Sequence, residues 1–192
     1  MDLGWGNEQA SKFVTNVGLV TSNGKNGLDI MAAEWTYYVS WSPALISVHI
    51  GGGMTGKATS ENIMDTKVFG VSIASTEQNV ISSVAGGSSG RDIDKVSLLK
   101  ELGYNFSAGK ETGALLVDGS ATKIECRLKE AITLGDHTMF IGEIVSIETD
   151  KSKSPLAFSF GKYYSLGEHM HKPDQAVLDR IEALKAKHAK KK

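Results

Sequence analysis

The sequence predicts a mainly β fold with a few added helices, a closed antiparallel barrel or sandwich and not a parallel α/β sheet. Three observations carry that reading. The 192 residues include 21 glycines and only three prolines, which suits strands joined by tight turns. Two Asn-Gly pairs, Asn23-Gly24 and Asn26-Gly27, close a β-branched run, and Asn-Gly readily takes the positive φ values of a hairpin turn. Apolar and polar residues alternate in "PALISVHI" and "KIECRL", the period-two pattern of half-buried strands.

Taken in order, "FVTNVGLVTSNGKNG" supplies a strand and its turn, and "LDIMAAEWTYYVS" starts the returning strand with a softer middle. "PALISVHI" puts Ile46, Val48 and Ile50 on one face and Leu45, Ser47 and His49 on the other. "VFGVSIA" is a further strand. "STEQNVISSVAGG" predicts a helix capped by Ser75 or Thr76, with Gln78 three residues after Ser75, Val80, Ile81 and Val84 on one side, and Gly86-Gly87 as its end. "DIDKVSLLKELG" repeats the design, with Asp92 as cap and Gly103 as stop. "KIECRL" points Ile124, Cys126 and Leu128 inward and Lys123, Glu125 and Arg127 to solvent, and "HTMFIGEIVSIE" pairs with it across a Leu-Gly-Asp turn. A last helix at about 173–188 has Pro173 in its first turn and an apolar stripe of Val177, Leu178, Ile181 and Leu184. Such a stripe packs on its own domain or on a second subunit. With no internal repeat and no long linker, residues 1–192 are expected to form one domain.

Composition excludes several function classes. Lysine and arginine number 21 against 22 aspartates and glutamates, so no overall field draws the chain to nucleic acid. The lysines of "KAKHAKKK" read as a solvated end. Cys126 is the sole cysteine, which rules out an intramolecular disulfide and a cysteine-cluster metal site and suits a reducing compartment. The start "MDLGWGNEQASKF" lacks a basic segment and an apolar core, and no apolar run reaches the roughly 18 residues that span a bilayer. A cytoplasmic protein without membrane or nucleic-acid partners is expected. There is no H-E-x-x-H and no serine elbow, and His169-x-His171 reads as a surface pair.

Three segments offer chemistry. In "DIMAAEWTYYVSWSP" the small Ala32 and Ala33 expose backbone groups to a flat heterocycle, and Trp35, Tyr37, Tyr38 and Trp41 add aromatic surface. An aromatic core strand accounts for the same composition. In "GGGMTGKATSENI", residues 51–63, glycines lead into Thr55, Lys57 and Thr59 and then a helix start. Hydroxyls, one ammonium and helix N-terminal N–H groups together make a phosphate site. The spacing is not that of a Walker loop, and a glycine-rich hairpin explains it equally well. In "GGSSGRDIDK", residues 86–95, Ser88, Ser89 and Gly90 offer donors, Arg91 and Lys95 offer charge, and Asp92 and Asp94 offset it. An aspartate there orients Arg91 or caps the next helix. "LGDHTMF" places Asp136 and His137 at a hairpin tip, where a histidine serves as rim group or proton donor.

In this order and spacing the segments resemble the flavin reductase-like FMN-binding split-barrel family, and its flavoredoxin branch most. The resemblance rests on "MAAEW" followed by "VSWSPALISVHI", "KATSENI" leading to "VFGVSIAS", "SGRDIDK", "IECRL", "LGDHTMFIGEIVSIE" and "PLAFSFGKYYSLG", over roughly residues 12–166. It implies a six-stranded antiparallel Greek-key split barrel with added helices, a homodimer holding FMN near the subunit interface. Ile30, Met31, Ala32, Ala33, Glu34 and Trp35 would then line the isoalloxazine through the main chain, with Ser47 and His49 among the cofactor-binding residues. Lys57, Ala58, Thr59, Ser88, Ser89, Gly90, Arg91 and Lys95 would meet the phosphate end. His137 is the candidate catalytic group, and Tyr163 or Tyr164 would rim the site. Glu34 stands where the family pattern calls for a small or hydroxylic residue, and "GGGMTG" is unusually rich in glycine.

The implied function is electron transfer by a flavoredoxin-type FMN protein, with a redox partner such as ferredoxin. The alternative is an NAD(P)H:flavin reductase. No Rossmann G-x-G-x-x-G is present, so a nicotinamide would stack on the flavin without a domain of its own. A small barrel that binds oligonucleotides is a third reading, and the near-neutral charge counts against it.

Overall fold

Asn23–Leu28 turns the chain back on itself and starts an antiparallel sheet that accounts for most of the molecule. The computed structural model describes residues 1–54 and 56–190. Seven strands, β2 (Gly18–Ser22), β3 (Asp29–Ala33), β4 (Thr36–Trp41), β5 (Ala44–Gly51), β6 (Val68–Ile73), β9 (Thr122–Leu134) and β10 (His137–Thr149), form one sheet in the order β3-β2-β6-β9-β10-β5-β4. All its pairings are antiparallel. Strand β1 (Thr15–Asn16) joins β11 (Leu156–Ser159) and β12 (Lys162–Ser165) in a three-stranded sheet, and β7 (Phe106–Ala108) pairs with β8 (Leu115–Val117). Four helices complete the fold: α1 (Ala58–Thr66), α2 (Asn79–Gly87), α3 (Lys95–Glu101) and α4 (Gln175–Lys187).

The mainly β class with added helices is what the sequence predicts, but the main sheet has seven strands and not six. Its two edges, β3 and β4, form no ladder with each other among the described residues. The two follow each other in the chain, joined through Glu34–Trp35, and side chains hold the link. Thr36 Oγ1 donates to Ala33 O at 3.0 Å, and Asn16 Nδ2 donates to Thr36 O at 3.1 Å. The single strand expected over "LDIMAAEWTYYVS" is therefore broken at Glu34–Trp35.

The sheet buries both faces. Val20, Ile46, Val48, Ile50, Phe69 and Phe140 fill one cluster, and Leu19, Ile30, Ile81, Val96 and Leu99 fill a second beneath α2 and α3. The β9–β10 hairpin turns through Gly135, at φ 58°, and Asp136. Gly142 marks close packing on β10, because a Cβ there would lie 2.5 Å from Phe69 Cζ and 2.9 Å from Cys126 Cβ.

Several local expectations change. The Asn-Gly pairs form no two-residue turn, since the loop runs from Ser22 to its ladder partner Asp29. Helix α1 holds it there: Asn62 Oδ1 accepts from Asn26 N at 3.0 Å, and Asn62 Nδ2 donates to Gly27 O at 2.7 Å. Helix α2 starts later than expected, and Gln78 Oε1 reaches back to Ser75 N at 3.0 Å. Its buried residues are Ile81, Ser82 and Ala85, with Val80 exposed. Asp94, not Asp92, caps α3 by accepting from Ser97 N. Glu125 faces inward, only 2 % exposed, where alternation pointed it to solvent. Helix α4 is capped by Asp174 and has no buried residue, so its stripe does not pack on its own domain.

Candidate functional site

Strand β3, the N-terminus of α1 and the end of α2 converge on a cavity of about 230 Å³. Met31 and Ala32 form one wall, Lys57, Ala58 and Thr59 a second, and the run from Ala85 to Gly90 a third. Asp29 and Lys95 lie at its base. Two segments that the sequence marked for phosphate thus meet beside Met31 and Ala32 of β3.

The N-terminus of α1 is suited to an anion. Lys57 occupies the N-cap with no side-chain cap bond. The first helical hydrogen bond is that from Glu61 N to Lys57 O, so the N–H groups of Ala58, Thr59 and Ser60 have no partner within the helix. Together with the helix dipole they favour a negative group there. The Lys57 ammonium makes no hydrogen bond or ion pair among the described residues.

The other two cations are engaged. Lys95 Nζ pairs with Asp29 Oδ1 at 3.0 Å, both side chains 2 % exposed, and donates to Ser88 O at 3.2 Å. Thr59 Oγ1 donates to Asp29 Oδ2 at 2.5 Å. Gly90 lies against the same carboxylate, and a Cβ there would overlap it. Arg91 Nη1 donates to Gly56 O at 3.2 Å, and its Nη2 lies 3.3 Å from Glu61 Oε2. Arg91 thereby ties the glycine-rich loop to α1 and is not among the residues lining the cavity. Ser89 Oγ accepts from Arg91 N at 3.1 Å, which shapes the turn. Thr55 lies outside the described residues.

Asp29 went unnoticed in the sequence. A lone aspartate opening a strand carries no local signal, and its partners come from α1 and α3.

A second group of residues gathers at the other end of the glycine-rich loop. His137 is the ladder partner of Gly51, and Gly52 N donates to Asp136 O at 3.0 Å. His137 Nδ1 lies 2.8 Å from Asp136 Oδ1. The Trp35 and His137 rings are 4.5 Å apart and tilted by 32°. His49 meets Trp35 edge-on at 6.2 Å and Tyr37 at 6.0 Å, and its Nε2 lies 3.3 Å from Ser47 Oγ. Glu34 is half-buried beside them. Burial holds its carboxyl above the usual range, partly countered by His137. Burial, then repulsion from His137, keeps the His49 imidazole below its ordinary value.

The remaining sequence candidates fall elsewhere or act through backbone. Ile30 and Ala33 are buried in the core clusters, leaving only main chain to face a ligand. Tyr163 is held by α2, its hydroxyl donating to Ser82 Oγ at 3.0 Å, and Tyr164 is exposed. No group of three or more metal-ligating side chains occurs among the described residues. No helix among them is long and apolar enough to cross a membrane.

The residues fit a flavin mononucleotide in outline. Unpaired N–H groups and Lys57 face the cavity. Strand β3 offers a flat ring an extended main chain, about 3.3 Å per residue, up to its end at Ala33.

Comparison with known proteins points the same way. The family pattern described as "Flavin reductase like domain" matches residues 10–167. An NADH-dependent FMN reductase, AsuE2 of Streptomyces nodosus subsp. asukaensis, is 28% identical over 156 residues, 79% of this chain and 78% of the relative. An NADH-dependent FAD reductase of Streptomyces globisporus is 25% identical over 152 residues, 79% of each chain. The crystal structure of flavoredoxin from Methanosarcina acetivorans superposes with a TM-score of 0.76 at 19% identity, covering 91% of this chain and 96% of that one. At that identity the likeness shows the fold alone.

Proposed function

The chain belongs to the flavin reductase-like domain family, and from that membership we propose that it is an NADH-dependent flavin reductase holding FMN. The observation that carries the proposal is the cavity at the α1 N-terminus, where Lys57, Ala58 and Thr59, the last two with N–H groups that lack helical partners, lie across from Met31 and Ala32 of β3. That strand leads to the Trp35–His137 pair. Bound flavin would accept a hydride from NADH and hand the electrons on.

The chain's own residues supply binding and orientation. Lys57 and the α1 amides anchor the phosphate. The buried Asp29–Lys95 pair fixes β3 against α1 and α3 without placing a net charge beneath that phosphate. Trp35 and His137 form the rim against which a nicotinamide settles, and Asp136 holds the His137 ring in place through Nδ1.

The carrier reading that the resemblance favours becomes the second one. Both named relatives use NADH, whereas flavoredoxin supports the fold only. Anaerobic stopped-flow mixing of the FMN-loaded protein with NADH, NADPH and reduced ferredoxin separates the two. The reductase reading expects fast bleaching by NADH, slowed at least about tenfold in His137→Ala. Fast bleaching by ferredoxin alone, unaffected by His137→Ala, would restore the carrier.

A homodimer belongs to the same proposal. It would cover apolar surface that the single chain leaves open, including the α4 stripe and Trp41, which is 86 % exposed. Light scattering on a size-exclusion column should give twice the chain mass of 20.5 kDa.

A further inference from the structure

The geometry points to Glu34 as the residue that sets the charge beside the flavin ring, and with it the pH dependence of the bound flavin's reduction potential. The inference rests on the flavin reading above.

Glu34 sits at the bend between β3 and β4, between the small Ala33 and the exposed ring of Trp35. The bend is fixed from both sides. Thr36 Oγ1 and Thr36 N return to the carbonyls of Ala33 and Glu34, and His49 N donates to Trp35 O at 3.0 Å. A flavin ring that reaches from the cavity along β3 to the Trp35–His137 pair passes Glu34 at the bend.

The titratable groups around Glu34 come from each element packed against the bend: Tyr37 from β4, His49 from β5, His137 from β10 and Asp136 from its turn. Their charges are not equivalent. Asp136, whose side chain is 91% exposed, serves the outer side of His137. Glu34 is the half-buried acid of the group. Burial raises its carboxyl, His137 offsets part of that rise, and the Glu34 charge adds to burial in raising the Tyr37 phenol. Burial, then His137, lowers the His49 imidazole.

The sign follows from Coulomb's law. Reduction adds negative charge to the ring. An ionised Glu34 opposes that change, whereas a protonated His137 favours it. Ionised Glu34 thus lowers the potential and protonated Glu34 does not. Because burial raises its carboxyl more than His137 lowers it, the switch lies on the alkaline side of an ordinary glutamate.

The test is a spectroelectrochemical titration of bound FMN in wild type, Glu34→Gln and Glu34→Ser, from about pH 4 to about pH 9. Glu34→Ser places a small hydroxylic side chain there and serves if Glu34→Gln does not fold. Glu148→Gln, at an exposed position on β10, is the control. The expected result is a higher potential in both Glu34 variants at high pH, of the order of a tenfold change in the ratio of affinities for reduced and oxidised flavin, about 30 mV for a two-electron couple. That gap should close toward acid pH. Equal potentials at every pH, or an offset that does not vary with pH, would overturn the inference. Failure of wild type to bind FMN would instead sink the flavin reading on which it rests.

Discussion

Asp29 and Lys95 face each other at 3.0 Å with both side chains 2 % exposed, directly at the base of the cavity. The same aspartate takes the hydroxyl of Thr59. One carboxylate thereby joins β3 and α1, two of the elements that wall the cavity, to α3 beneath them. A buried pair of this kind contributes little net stability when intact, because desolvation offsets attraction. Its value here is positional.

Removing one partner is a different matter. Lys95→Met leaves a carboxylate buried without its counter-charge and should cost about 3–5 kcal/mol. Lys95→Met combined with Asp29→Leu should recover part of that loss. Urea unfolding of the wild type, the single variant and the double variant checks this. A Lys95→Met protein as stable as wild type would mean that the pair does not form.

Thr59 is predicted to matter for shape and not for phosphate charge. Its hydroxyl is already donated to Asp29. Thr59→Val should therefore weaken FMN and riboflavin by the same factor, measured by fluorescence titration. A loss confined to FMN would place that hydroxyl on the phosphate instead.

Much of the fold is legible in the sequence because its signals are local. Alternation marks β5 and β9, and the Leu-Gly-Asp turn before His137 marks the long hairpin. Cavity residues such as Met31, Ala32, Lys57 and Ser88 lie in segments whose composition already suggested a ligand. What stays hidden depends on distant partners. Nothing next to Asp29 announces Lys95. The Asn-Gly pairs imply a tight turn until Asn62 on α1 is seen to hold a wider loop open. Alternation sends Glu125 to solvent, yet it lies buried beneath a loop whose donors the strand pattern does not reveal.

Glu125 gives a pH prediction. Burial raises its carboxyl, but the Thr112 hydroxyl and the N–H groups of Thr112, Glu111 and Lys110 outweigh burial and hold it below the ordinary range. A folded-state value below the unfolded one gives stability that is fully present above the unfolded value of about 4.3 and is lost as pH falls through the folded one. Glu125→Gln should thus be less stable than wild type at neutral pH, and the difference should shrink in acid. Denaturant midpoints at pH 7 and at about pH 3 check the direction. A difference that grows in acid would contradict it.

The most direct measurement is the equilibrium titration of wild type and Lys57→Ala with FMN and with riboflavin, which lacks the phosphate. The proposed site for that phosphate is the N-terminus of α1 beside the Lys57 ammonium, and a charge-assisted contact is worth roughly 1.5–3 kcal/mol. Wild type should therefore prefer FMN, and Lys57→Ala should weaken FMN about tenfold or more while leaving riboflavin nearly unchanged. Equal affinity of wild type for the two flavins, or equal weakening of both by Lys57→Ala, would contradict the placement of the flavin in this cavity.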